Sequence, residues 1–333
     1  MIDISTVQYD VELITEDGAR YLLNDALLNL QWEEQISELA QRATLTVANA
    51  QTGSASLMDL MKINCIIRIS GRWGEGEAVL FDGTIWEWQY SNATNKELTI
   101  TAYDRLIRLQ QSKDFKYYSA GMTTQAIIGN ICGDWNIPFE YKWNQNLTHE
   151  KKVFSAERIS DMIIGLLDEV RQKTGEKYVV YFRDGQLQIT GYGTNTTVYR
   201  FDPENTISTD NKLTINNLVT EVRILGKQNN DERRPLEDTI TGDKSFGVLR
   251  EILLRDGSKT LDAVRAEAQT IIKKRGKPEE IIRINVPDLP FMRKGDKVEV
   301  NAGNLIGFFF VASVSHNATI RQMPLMLERN AAG

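Results

Sequence analysis

The stretch GFFFVASVSHNATIRQMPLMLER, residues 307–329, runs from three phenylalanines through a lone histidine and a polar patch into a Met/Leu segment. Aromatic and β-branched residues on either side of Asn317-Ala318-Thr319 predict two strands joined as a hairpin. Phe308, Phe309, Phe310 and Val311 are apolar on both faces of such a strand. A strand of that kind is normally covered on both sides, and a thin barrel achieves this most simply by meeting another subunit. His316 and His149 are the only histidines, and neither has a second ligand at metal-like spacing. A general base needs a nucleophile and an orienting partner. His316 is therefore expected to end a strand with its ring hydrogen-bonded locally.

The hairpin belongs to a plan used twice. KGDKVEV (294–300) precedes a short Gly loop, GFFFVASVSH, Asn317-Ala318-Thr319 and MPLML. Near the start, KINCIIRIS (62–70) precedes a short Gly loop, AVLFDGTIWEW, Asn92-Ala93-Thr94 and the alternating ELTITAY. Identities are few, but the shared order predicts a β-barrel duplicated within the chain.

From Val7 to about Leu109 the pattern has period two: Ala43, Leu45 and Val47 alternate with Thr44 and Thr46, and Leu98, Ile100 and Ala102 repeat the phase. Glu16-Asp17-Gly18, Gly74-Glu75-Gly76 and Ser91–Asn95 are reversing turns. After Ser112 the period becomes helical. Thr123 or Thr124 caps a helix carrying Ile127, Ile128, Ile131 and Cys132, and a second carries Ile159, Met162, Ile163, Leu166, Leu167 and Val170 before Gly175. KYVVYFRDGQLQIT is a hairpin turning at Asp184-Gly185. A polar stretch from Gln228 to Lys244 includes Asp231-Glu232-Arg233-Arg234, and a helix capped by Thr260 buries Leu261, Val264, Ala268, Ile271 and Ile272 before Gly276. The predicted architecture is mixed β and α+β, multidomain: two related small antiparallel β-barrels, an α+β middle domain and a helix-containing insertion. Residues 1–112 form the first barrel, 113–203 the middle domain, 204–232 with 281–333 the second barrel, and 233–280 the insertion.

The chain has 333 residues and a net charge of −6. This argues against a tight nucleic-acid binder or a basic membrane-surface protein, since both need Lys and Arg to meet phosphates. The two cysteines, Cys65 and Cys132, and an acidic residue near the N-terminus predict a chain folding in a reducing cytoplasm without a signal peptide. No apolar run is long enough for a bilayer. DGSKT (256–260) lacks the glycine a phosphate loop needs at Ile252, so a turn and a helix cap explain it better. GYG (191–193) has no dinucleotide fingerprint behind it, and no GxSxG elbow occurs. Neither a catalytic site nor a cofactor nor a metal is expected. Carboxylate pairs of the glycosidase kind leave no sequence spacing and stay open.

TIWEWQY places Trp86, Trp88 and Tyr90 on one face of a strand. The strip suits a barrel core, a subunit contact or a platform for sugar stacking. Trp86, Trp88, Tyr90, Phe308, Phe309 and Phe310 are the candidate subunit-interface residues.

LFDGTI, LTITAYDRLIRL, TTQAIIGNIC, ISDMIIGLLDEVRQKTGEKYVVYFRDGQLQI, LDAVRAEAQTIIKKRGKP and MRKGDKVEVNAGNLIGFFFVASVSHNATIRQMPLML, in that order, resemble the tail hub proteins of contractile phages. The match is to the PBSX-like XkdQ/YqbQ family and covers nearly the whole chain. KGDKV with the FxVxSVxH strand and the Met-rich last strand carries it furthest. Phe81, Gly83, Gly295, Asp296, Val298 and His316 are the family-like structural residues. The resemblance implies a non-enzymatic virion tail or baseplate protein, assembled in the bacterial host cytoplasm. Such a hub is a homotrimer in a pseudo-sixfold ring between the tail tube protein and the central spike protein, touching other baseplate proteins. DNA would be only a weakly interacting cargo of the lumen, which a negative chain suits. Three other readings remain: a carbohydrate-binding or cell-surface β protein, a peptidoglycan hydrolase, and the hub-like part of a secretion-system spike.

Overall fold

Alternation is realised as strands wherever it occurs. The computed structural model describes residues 6–52, 55–74, 76–92, 96–228, 233–255, 257 and 259–329. Glu75, Ala93–Asn95, Asp231-Glu232, Asp256 and Ser258, which belong to predicted turns and to the charged run, lie outside them.

The first segment holds β1 (Gln8–Ile14), β2 (Arg20–Leu22), β3 (Leu27–Gln35), β4 (Arg42–Ala48), β5 (Gln51–Thr52), β6 (Ala55–Ser56), α1 (Leu57–Leu60), β7 (Ile66–Trp73), β8 (Gly76–Ser91), β9 (Glu97–Tyr103) and α2 (Ile107–Gln111). Ala43, Leu45, Val47, Leu98, Ile100 and Ala102 point inward as their phase requires, onto one core with Trp32, Ile67, Ile69 and Phe81.

The middle segment holds β10 (Lys113–Tyr118), α3 (Thr124–Asp134), β11 (Phe139–Tyr141), β12 (Lys152–Arg158), α4 (Ile159–Thr174), β13 (Tyr178–Arg183), β14 (Gln186–Gly191) and β15 (Tyr199–Phe201). The Thr123 hydroxyl caps α3 by accepting from the Ala126 N–H, and Gly175 ends α4 at φ 80°. Asp184 and Gly185 both take positive φ, as a two-residue hairpin turn demands. The border expected at Ser112 is not a break in packing. Ile107 and Leu109 of α2, with Leu39 and Ala40, share a core with Ile163, Leu166 and Leu167 of α4.

The last third holds β16 (Ser208–Thr214), β17 (Glu221–Leu225), β18 (Leu236–Thr241), β19 (Arg250–Leu254), α5 (Leu261–Arg275), β20 (Glu279–Pro287), β21 (Lys297–Ala302), β22 (Leu305–Asn317) and β23 (Gln322–Arg329). The chain divides into two compact units, 1–209 with 283–333, and 210–282. In the second unit β17 pairs antiparallel with β18 and parallel with β19, and α5 lays Val264 and Ala268 on Val222 and Ile224. Residues 204–232 were expected in the second barrel with 281–333. Instead β17 takes both its neighbours from 233–280, because Val222 and Ile224 need the apolar face of α5.

Among the described residues the strand pairing closes neither of the two terminal β segments into a barrel of its own. They share one 13-stranded sheet, running β2-β1-β7-β8-β9-β4-β3-β22-β23-β20-β16, with β21 beside β22 and β15 beside β21. The reason lies in β22. Its Leu305–Phe310 half pairs with β21, but the strand runs on past β21, and Ser313–Asn317 offer the same edge to Gln31–Gln35 of β3. The predicted echo is visible in the pairing. β7-β8-β9 and β21-β22-β23 are both antiparallel meanders about a long, bulged middle strand.

His316 locks this junction. It lies opposite Trp32 in the β22–β3 ladder, and its ring stacks on the Trp32 indole at 4.6 Å. Nδ1 is 2.7 Å from Asp288 Oδ1 and Nε2 is 3.0 Å from the Met292 carbonyl. Asp288 accepts a second bond, 2.5 Å, from the Tyr9 hydroxyl. Burial and then the Asp288 charge push the Tyr9 phenol far up, so it stays a donor. His316→Leu should therefore leave Asp288 and the Met292 carbonyl short of a buried partner. The expected loss is about 3–5 kcal/mol, read from urea unfolding monitored by tryptophan fluorescence.

Candidate interaction surfaces and the buried ion cluster

The turn Arg293-Lys294-Gly295-Asp296 precedes β21, and most of its polar groups face inward. Arg293 Nε donates to Glu34 Oε2 at 2.7 Å and its Nη2 to Oε1, a bidentate pair with Glu34 on β3. Lys294 Nζ donates to the carbonyls of Glu38 (2.6 Å) and Gln35 (3.2 Å). Gly295 has φ 85°, and a Cβ there would meet Val179 of β13 at 2.9 Å, so only glycine lets β13 approach. Its carbonyl accepts from the Gly193 N–H and its N–H donates to Val311 O. The turn thus ties together the first segment, the middle segment and β22.

Burial shapes the titration here. It pushes Asp104 up to about 7 against the N–H bonds from Gln41 and Leu106, and Asp296 up to about 6 against the Arg293 N–H and charge. It lowers Lys294 to about 8. Burial would raise Glu34 as well, but the Arg293 charge and hydrogen bonds outweigh it and hold Glu34 below the usual range. The cluster's cations and carboxyls are engaged with one another and with backbone groups of β3 and its neighbours, which makes the cluster a structural tie.

His149 is buried, with Nε2 2.8 Å from the Thr124 hydroxyl and Nδ1 3.3 Å from Glu169. Burial lowers its pKa more than Glu169 raises it. Among the described residues no three His, Cys, Asp or Glu side chains converge as metal ligands.

The aromatic strip is not on one face. A bulge between Ile85 and Glu87 slips the parity of β8, so Trp88 and Tyr90 pair with the inward residues Ile100 and Leu98. Trp86 instead turns its ring edge-on to Tyr103. All three remain exposed, at 43, 39 and 36%, so none serves as this chain's core. β7 and the Asn64–Cys65 turn occupy one edge of β8 only as far as Ile85. From Trp86 to Ser91 that edge has no partner strand among the described residues.

The phenylalanine run divides too. Phe309 is 1% exposed, opposite Val298 in the chain's own core, and so does not offer its ring to another subunit. Phe310 is covered by Tyr192, edge-on at 5.3 Å, and by the close approach of Gly193. At Phe310 the second face of the run is therefore covered by the middle segment. Phe308 stays 46% exposed under the Lys297 ammonium. Of the family-like residues, Phe81, Val298 and His316 are buried. Gly83 marks where β8 leaves β9, since a Cβ there would lie 2.5 Å from the Tyr103 carbonyl oxygen. A further apolar row, Leu236–Leu225–Leu254, crosses the sheet of the second unit, with Leu236 and Leu254 exposed. No sequence periodicity joins the three, because Leu236 lies within the stretch 228–244 that reads as polar.

A model of the family described as YQBQ-like matches residues 30–328. Two solved tail proteins are similar over nearly the full length of both chains. One is from Neisseria meningitidis, with 13% identity, TM-score 0.67 and 97% of each chain covered. The other is a 43 kDa tail protein of prophage MuSo2 from Shewanella oneidensis, with 13% identity, TM-score 0.69 and coverage of 97% and 98%. A third is a component of the Escherichia coli type VI secretion system, itself similar in structure to T4 tail proteins gp27 and gp5. It matches at 10% identity and TM-score 0.54, over 92% of this chain and 74% of that one. Among curated proteins none matches.

The ion cluster makes a pH-dependent prediction. Asp104, raised from 3.8 to about 7, holds its proton in the folded chain where the unfolded chain has lost it. Its contribution is full below about pH 4 and disappears as pH rises through about 7. Asp296 acts in the same direction, whereas Lys294, lowered from 10.5 to about 8, adds stability only as pH rises above about 8. Asp104→Asn should cost about 1–2 kcal/mol, since one of two buried N–H groups loses its acceptor. The gap between wild type and variant should narrow from pH 5 to pH 7.5 in urea titrations; a constant gap would refute the assignment.

Proposed function

Because the chain belongs to the YQBQ-like family, we propose that it is a structural hub subunit of a phage tail or tail-like baseplate. In this reading it has no catalytic role. Three copies form a pseudo-sixfold ring that joins the tail tube to the central spike and lines the channel, with other baseplate proteins around it.

The observation that carries the reading is the junction between β22 and β3. β22 outruns β21 and takes β3 on the freed edge. β8 holds the corresponding place in the first meander, outruns β7, and among the described residues has no partner strand on its Trp86–Ser91 edge. Beside β8 lie β9, β4 and β3, and beside β22 lie β23, β20 and β16, so β16 is the counterpart of β3. β16 is an edge strand of the sheet. A ring closes when β16 of one copy takes the free edge of β8 in the next, repeating between chains the join already made within each. Three copies then present six like junctions, which is the symmetry a sixfold tube requires. Trp86, Trp88 and Tyr90 are the exposed aromatic groups this contact would draw on, while Phe308 is exposed on β22 beside β21. The sugar-platform reading is disfavoured by the bulge, which takes Trp86 off the face of Trp88 and Tyr90.

The test is oligomeric mass by light scattering over a concentration series, alone and with tube and spike proteins. A trimer is expected, alone or once partners are added. Trp88→Glu, at an exposed site, should change monomer stability by no more than about 0.5 kcal/mol while preventing the trimer. A persistent monomer indifferent to both partners would sink the hub reading.

A further inference from the structure

Between the first half of β8 and the segment after β9 lies a cleft of about 570 Å3, within the range of about 300–1,000 Å3 usual for ligand pockets. It exists because the sheet forks. β9 stays with β4 to Tyr103 and turns through Asp104 into α2, while the Gly76–Gly83 half of β8 keeps company with β7 alone. On the side away from β7, no strand pairs with that half among the described residues. Six consecutive residues, Val79 to Thr84, line the cleft. A strand seen from one face would offer every second residue, so the cleft meets β8 edge-on, where unpaired backbone N–H and C=O groups point.

The remaining walls carry more guanidinium groups than carboxyls, the latter being Asp82, Asp104 and Asp184. Arg68, Arg105, Arg108, Arg183 and Arg293 all line the cleft. Arg68 is held by Asp82 and Arg293 by Glu34. Arg183 makes a 3.7 Å ion-pair contact with its exposed neighbour Asp184, and its charge also reaches Asp296. Arg105 and Arg108 are exposed and form no ion pair among the described residues. The carboxyl nearest to them in sequence, Asp104, is buried with both oxygens engaged by the Gln41 and Leu106 N–H groups. In a chain of net charge −6, a concave strand edge with the two unpaired guanidinium groups of Arg105 and Arg108 on its wall is the exception.

We infer that this cleft receives an extended acidic segment of a partner protein, added as a strand to the free edge of β8 with its carboxylates on Arg105, Arg108 and Arg183. The strand edge selects a polypeptide, because its repeating donors and acceptors match another peptide backbone and not a phosphodiester chain. The guanidinium groups select acidity. The site uses the β9-side edge of β8 near its start, whereas the proposed ring uses the β7-side edge near its end. The two proposals can therefore fail separately.

The probe is a fluorescein-labelled synthetic peptide of alternating Glu and Thr, about eight residues long, within the usual length of a strand. Binding to the full-length chain is followed by anisotropy. It should be saturable, weaken with salt, and fall about tenfold in Arg105→Glu with Arg108→Glu, each exposed pair contributing modestly. Arg183→Glu, on the opposite rim, should weaken it independently and serves if the double variant melts differently from wild type. The same peptide with alternate amides N-methylated keeps every charge but loses ladder donors, and should also bind about tenfold more weakly. Absence of binding, indifference to all three arginine changes, equal binding of the methylated peptide, or equal binding of a thymidine oligonucleotide of the same length would each overturn the inference.

Discussion

One carboxylate, Glu34, sets the frame on which the rest of the larger unit depends. It is buried on β3 and meets the guanidinium of Arg293, 259 residues away in sequence, through two hydrogen bonds. An ion pair taken out of water gains little net stability, because desolvation offsets most of the attraction. What it supplies is selectivity. Only one placement of the 293–296 turn satisfies Glu34, and that placement sets β22 against β3 in the register where His316 faces Trp32. A slip of one residue would turn Val311 and Val314 away from the core and strand both charges.

The helices and hairpins were legible because their signals are local. The stripe Ile159 to Val170 requires only its own periodicity, and Asp184-Gly185 needs only two residues able to adopt positive φ. Long-range consequences were less so. Trp86, Trp88 and Tyr90 keep perfect alternation in sequence, yet one extra residue in the ladder reverses the face of the last two. Phe309 and Phe310 read alike as letters, but their cover comes from Val298 in one case and Tyr192 in the other. Neither neighbour can be named from the strand alone. The ion cluster was hidden for the same reason: Glu34, Asp104 and Arg293 are unremarkable separately and acquire shifted titration only by burial together.

The duplicated meander shows how one plan accommodates two outcomes. In the second meander the overhang of β22 is filled by β3 from the same chain; in the first, the overhang of β8 carries exposed aromatic rings. The halves differ in how they are finished more than in how they are built. The first half is bordered by the antiparallel strand β1, the second by the parallel strand β15. Such asymmetry lets one repeat complete the fold while the other keeps an edge unpaired among the described residues.

The β3–β22 join also bears on the timing of synthesis. Trp32 of β3 leaves the ribosome long before its ladder partner His316 on β22. Until residues 293–317 emerge, β3 is a bare edge and Glu34 lacks its cation. Pairings so distant in sequence form late and slowly. A nascent chain without β22 thus lacks the joined sheet against which a neighbour would have to register, so the strand order delays assembly until β22 has been made.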